Sequence, residues 1–191
     1  PDIGTSRLST PGEYPGRTPP SALPNHPPDS CGRGPLDAAG SHVIGGIGDD
    51  TLSSGTFSNV AIRGGAGNDS ITVNGSERHV DGGGGDDTLV LASSLGGLDF
   101  TNVAVSGRYK SVEHIDLGVG NGAKTLNLDA RDVLALSPAN NKLFVTGDAS
   151  DSVSAPGPVW SNTGTVVDHG VTYNHFTLSG TLAELFVQQG I

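Results

Sequence analysis

Between Gly45 and Val90 one nine-residue pattern, G-G-x-G-x-D-x-U-x with U a large aliphatic residue, is met in full three times: GGIGDDTLS (Gly45 to Ser53), GGAGNDSIT (Gly64 to Thr72) and GGGGDDTLV (Gly82 to Val90). Their starts lie 19 and 18 residues apart, which leaves room for one degenerate copy between each pair. The aliphatic position reveals those copies: Val43, Leu52, Ile62, Ile71, Val80 and Leu89 follow one another at intervals of 9, 10, 9, 9 and 9 residues. A unit of six loop and three strand residues carries one inward side chain and can bury it only by stacking on copies of itself. With two units per turn, the expected fold class is all-β, a parallel β-roll or β-solenoid with a thin ladder of Leu, Ile and Val as its core. Glycines at the first, second and fourth motif positions permit the tight, partly left-handed loops that such a roll needs.

Along one side of the roll the sixth-position aspartates Asp50, Asp69 and Asp87 recur once per turn and should stack in a column. Strands lie about 4.7 to 4.9 Å apart and calcium–oxygen bonds run about 2.3 to 2.6 Å, so an ion midway between adjacent loops reaches a carboxylate from each. Loop carbonyls at Gly46, Gly48, Gly65, Gly67, Gly83 and Gly85 would complete an all-oxygen shell. The expected cofactor is therefore Ca2+, with one full site between Asp50 and Asp69, another between Asp69 and Asp87, and partial sites at either end of the column. Asp69 would serve both full sites, so its loss should be worse than loss of Asp50 or Asp87. Without a cation, Asp49, Asp50, Asp69, Asp86 and Asp87 repel one another around a thin core, and the metal-free repeat should be largely disordered. The loops on the opposite side, SGTFSN (Ser54 to Asn59) and VNGSER (Val73 to Arg78), lack the aspartate and are expected to hold no calcium; Glu77 and Arg78 could pair there. Phosphate binding is a poor fit, since acids crowd the loops and no helix or Lys-Ser/Thr pair follows. An EF-hand would need alternating acids and a glutamate at the twelfth position, which GGGGDDTLVLAS lacks. A flexible low-complexity tract would not keep six aliphatic residues in phase.

These motifs resemble the calcium-binding repeats of the RTX, or hemolysin-type, family. The resemblance implies a parallel β-roll, aspartate ligands at Asp50, Asp69 and Asp87, and backbone carbonyl donors from the loop glycines and from the fifth positions Asp49, Asn68 and Asp86. It also implies type I secretion by an uncleaved C-terminal signal. The stretch SVEHIDLGVGNGAKTLNLDARDVLALSPANNKLFVTGDASDSV, followed by Trp160, GVTYNHFT and FVQQGI, is similar to the extreme C-terminus of large RTX adhesins, where that signal lies.

Three regions are expected: residues 1–40 as a proline-rich linker or tail, 41–97 as the calcium-binding roll, and 98–191 as a β-rich C-terminal cap. Nine of the twelve prolines fall in the first 35 residues without a period, the mark of an extended segment with polyproline character. Cys31, the only cysteine, lies there, which excludes an internal disulfide or a cysteine-based zinc site. The start at Pro1, without the basic and apolar blocks of a cleavable leader, reads as a fragment or processed product. In the cap, FTNVAVSG, SVEHIDLG, KTLNLDA, NKLFVTGD, GVTYNHFTLSG and ELFVQQGI read as strands, and Asp129 to Ser137 as a short helical turn with Leu134 and Leu136 inward. The GDASDS turn, with Asp148 and Asp151, reads first as a solvated turn and second as a calcium loop.

Twenty acids against ten bases give a formal charge of −10, which disfavours nucleic acid and anionic lipid as partners. No apolar run is long enough for a membrane span. The six histidines are scattered without zinc spacing, no nucleophile elbow is present, and no catalytic residue is expected. The chain therefore reads as a secreted, extracellular or cell-surface structural or adhesive module that folds on calcium and is not itself an enzyme. Its expected partners are calcium ions, a surface ligand or further copies of itself. Two other readings share the same sequence: the secretion and folding module of an RTX lipase, protease or polysaccharide-modifying enzyme, and a subunit of a self-assembling filament or surface layer.

Overall fold

The computed structural model describes residues 41–191; the proline-rich segment 1–40, with Cys31, lies outside the described residues. The fold is all-β with one short helix. The repeat region supplies two sets of strands that alternate along the chain. One set is β1 (His42–Ile44), β3 (Ala61–Ala66) and β5 (His79–Gly84), extended by β8 (Tyr109–Lys110); all four pair in parallel. The other is β2 (Thr51–Ser53), β4 (Ser70–Val73) and β6 (Thr88–Leu91), and it continues in parallel through β9 (His114–Asp116), β11 (Lys142–Thr146) and β15 (Glu184–Gln188).

The register follows the aliphatic phase read from the sequence. Val43, Ile62, Val80 and Tyr109 are partners across the first sheet, and Leu52, Ile71, Leu89, Ile115, Val145 and Val187 across the second. All but Val187 are buried, and β4, β6 and β11 each add a second buried residue, Val73, Leu91 and Leu143, to the same core, so the ladder is thicker than one side chain per strand. A third parallel sheet, β7 (Gly97–Asp99), β10 (Thr125–Asn127) and β12 (Ser152–Ser154), aligns Leu98, Leu126 and Val153 in the same way. Pairing runs from β6 directly onto β9, so the second sheet continues beyond residue 97, the expected end of the roll.

Parallel pairing stops at β15. There β14 (Val171–Thr177) adds antiparallel, and β13 (Ser161–Asp168) pairs antiparallel to it as the edge strand. The reason is local. His169 and Gly170, between paired Asp168 and Val171, both adopt left-handed φ of 46° and 83°, the two-residue turn that joins antiparallel strands, whereas parallel neighbours need a long crossover.

The cap departs from expectation in one segment. FTNVAVSG forms consecutive turns after Asp99, because the Asp99 and Asn102 side chains accept the amides of Thr101 and Ala104 and so compete with strand pairing. The helical turn is present as α1 (Ala130–Leu136): Asp129 caps it, accepting the Arg131 and Asp132 amides while Asp132 accepts the Asp129 amide. Ala130, Val133 and Leu136 are its buried apolar residues, and Leu134 packs only partly. Two of the scattered histidines are the ends of a ring ladder. His114, Phe144, Phe186 and His175 stack with successive centroids 4.9, 4.3 and 4.4 Å apart across β9, β11, β15 and β14. No helix among the described residues is long and apolar enough to cross a membrane.

Candidate metal centre

The three motif aspartates precede β2, β4 and β6 by one residue, so parallel register alone stacks them. Asp50, Asp69 and Asp87 are all buried, with Asp87 fully so. One carboxylate oxygen of each rung accepts the amide of the rung before. Asp50 N–H donates to Asp69 Oδ1 at 2.8 Å, and Asp69 N–H donates to Asp87 Oδ1 at 2.8 Å. The column then gains a fourth member, since Asp87 N–H donates to Glu113 Oε2 at 3.0 Å and Glu113 is itself buried. Sequence reasoning missed Glu113. Its signal was the spacing Glu113-His114-Ile115, an acid two residues before an inward aliphatic side chain, as in Asp87-Thr88-Leu89.

The other oxygen of each aspartate curls back over the first glycine of its own loop. At Gly64 an added Cβ would overlap both Asp69 Oδ2 and the Gly82 carbonyl oxygen; at Gly82 it would overlap Asp87 Oδ2 and the Ser111 carbonyl oxygen. At Gly45 the same point faces the Gly64 carbonyl oxygen and, at 2.6 Å, Asp50 Oδ2. Each tier therefore sets a carboxylate oxygen from one loop beside a carbonyl oxygen from the next. Asp50 Oδ2 accepts the Gly46 amide at 2.7 Å, but Asp69 Oδ2 and Asp87 Oδ2 are buried with no hydrogen-bond partner. An ionised oxygen in that situation is costly to bury unless a cation or a proton meets it.

Among the loop glycines, Gly48, Gly65, Gly67, Gly83 and Gly85 have φ between 105° and 137°, where a side chain is strained; Gly46 does not share this conformation. Gly65 lies against the Gly46 carbonyl, Gly83 against that of Gly65, and Gly85 against that of Gly67, so successive loops touch backbone to backbone. The fifth positions form a second, outer ladder: Asp49 Oδ1 accepts the Asn68 amide at 2.7 Å, and Asn68 Oδ1 accepts the Asp86 amide at 2.9 Å.

In the opposite loops the buried acid has protein donors on both of its oxygens. Glu77 is fully buried and accepts from Ser54 Oγ, the Asn74 and Gly75 amides and Tyr109 Oη, while Arg78 reaches His42. In the third sheet, Lys124 and Asp151 hold the place of the motif aspartate, and Lys124 N–H donates to Asp151 Oδ1 at 2.9 Å. Both Asp151 oxygens have donors, the second from the Asp148 amide; Lys124 Nζ is buried without a hydrogen-bond partner. In the GDASDS loop Asp151 is buried and both of its carboxylate oxygens accept backbone amides, so the loop is not simply a solvated turn.

Among the described residues no three His, Cys, Asp or Glu side chains group around one point as a metal site. The column places its carboxylates one per tier, so any shell must draw its remaining oxygens from backbone. The donor set fits a hard, oxygen-seeking cation: bare carboxylate oxygens, carbonyls, and cradles that a single Cβ would fill.

Electrostatics point the same way. Burial, helped by the neighbouring carboxylates Asp50 and Asp49, raises Asp69 above the usual range; burial with Asp69, Glu113 and Asp86 pushes Asp87 up to about 6, and burial raises Glu113. A carboxyl whose folded value lies above its unfolded one favours the fold when protonated. That contribution is complete below about pH 4 and is lost as pH rises through about 6, on the order of 3 kcal/mol for Asp87. Metal-stripped protein should therefore hold more β-structure at pH 4.5 than at pH 7.5 by circular dichroism, and saturating calcium at pH 7.5 should remove the difference. Greater order at pH 7.5 without metal would contradict the column's electrostatics.

No family model, curated protein or solved structure matches the chain.

Proposed function

We propose that this chain is a calcium-dependent folding module of a secreted structural or adhesive protein, in which residues 41–97 form a parallel β-roll closed by calcium and residues 98–191 cap it. The observation that carries this reading is the buried column in which Asp69 and Asp87 each hold one oxygen bare beside a carbonyl of the next loop. Calcium supplies positive charge and an oxygen-seeking coordination sphere there. The chain's own residues do the rest: Asp50, Asp69 and Asp87 give carboxylate, glycines 46, 48, 65, 67, 83 and 85 bring backbone oxygens close, and the Leu52, Ile71 and Leu89 ladder fixes loop spacing. Extracellular modules bind calcium at about 10⁻⁴ to 10⁻³ M, so the millimolar ion outside cells would fold such a module and the low intracellular level would leave it open for export. This supports the extracellular, type I-secreted reading.

Equilibrium dialysis at pH 7.5 tests it. Calcium should bind in whole-number stoichiometry of at least two per chain with a sub-millimolar to millimolar constant, and equimolar magnesium should not displace it. Absence of saturable binding below 10 mM would defeat the proposal.

A further inference from the structure

The carboxylate column runs one rung past the repeats, and we infer that a third calcium ion binds between the last repeat loop, Gly82–Asp87, and the non-repeat turn Ser111–Glu113. Two features of both earlier tiers recur at this level, and a third, the bare carboxylate oxygen, recurs from the tier between Asp69 and Asp87. Asp87 N–H donates to Glu113 Oε2 as Asp50 and Asp69 donate to the rungs below them. The Ser111 carbonyl stands over Gly82 where the Gly82 carbonyl stands over Gly64, and Ser111 reaches that position with a left-handed φ of 52° that a non-glycine residue seldom adopts. Asp87 Oδ2, fully buried and without a hydrogen-bond donor, points into this tier and not into the one between Asp69 and Asp87.

The two sites read from the motifs leave that oxygen unexplained. The loop Gly64–Asp69 is served by Asp69 Oδ2 facing the Gly82 carbonyl, and the loop Gly45–Asp50 by Asp50 Oδ2 facing the Gly64 carbonyl. A third ion gives Asp87 Oδ2 its counter-charge and gives buried Glu113 a reason to be an acid: its Oε1 accepts the Ser137 hydroxyl, and the neighbouring charges Asp86 and Asp87 are carboxylates. Glu113 is one methylene longer than aspartate, which suits a tier where the three-residue link Ser111–Glu113 replaces the glycine-rich loop. The ion would tie the repeat to the cap, since Glu113 precedes β9 and Ser137 follows α1.

The site presupposes that the column binds calcium, so the experiment separates the two claims. Native-state mass spectrometry of the full chain in millimolar calcium should count three ions on the unmodified protein, two on Glu113→Gln and two on Asp50→Asn, which serves one tier. Asp87→Asn, which serves two tiers, should retain one. No bound ion on the unmodified protein would defeat the calcium reading itself. Two ions, unchanged by Glu113→Gln, would overturn the third site and leave that reading intact. Should Glu113→Gln fail to fold, equal counts for Asp50→Asn and Asp87→Asn would overturn the third site, and one ion fewer on Asp87→Asn would sustain it.

Discussion

Gly64→Ala is expected to abolish ordered folding of the repeat, and Gly84→Ala, twenty residues away on the same side, to leave it nearly unchanged. At Gly64 a methyl group would overlap the Gly82 carbonyl oxygen and Asp69 Oδ2 together, the first fixed in the next loop and the second pinned through its carboxylate to the Asp50 amide. Neither can yield without parting two loops. Overpacking of this kind costs about 3 kcal/mol or more, and here it also fills the space between two prospective ligands. At Gly84 nothing lies within 4 Å of the added methyl. Thermal melts in calcium would check the pair: comparable melting of both variants would mean that the loops stack less tightly than this geometry requires.

Asp69→Asn should act in opposite directions with and without metal. Asparagine keeps an oxygen for the Asp50 amide and removes a buried charge that has no cation to meet it. In chelator at pH 7.5 the variant should therefore hold more β-structure than the unmodified protein. In calcium it should be less stable, because Asp69 reaches the tiers on both sides, through Oδ1 against Asp50 and through Oδ2 against the Gly82 carbonyl. An ion at tenfold excess over its dissociation constant contributes about 1.4 kcal/mol, so losing two tiers costs about 3 kcal/mol against about 1.4 for Asp50→Asn, which borders one. Loss of stability in both chelator and calcium would indicate a purely structural aspartate.

The sequence made the core legible because inward aliphatic residues recur every 9 or 10 positions, and the pairing of Val43 with Ile62 and of Leu52 with Ile71, each 19 residues apart, matches two such intervals. It also placed the aspartate column, since register follows from the same phase. Glycines were read through backbone conformation alone. That accounts for Gly48, Gly65, Gly67, Gly83 and Gly85, but Gly45, Gly64 and Gly82 are required by crowding from the neighbouring tier, a three-dimensional fact that a loop considered singly does not contain. Glu113 escaped notice because its turn has lost the glycines while keeping the acid-to-aliphatic spacing. The antiparallel edge was hidden for another reason: alternation in GVTYNHFT reads the same in either strand direction, and only the His169–Gly170 turn chooses between them.

Far-UV circular dichroism of the metal-stripped chain at pH 7.5, followed as calcium is added, is the most direct test of whether cations hold this stack together. The account predicts a weak β signal in chelator that rises cooperatively to its full value by millimolar calcium and falls again on chelation. A full β spectrum in chelator, unchanged by the ion, would contradict it.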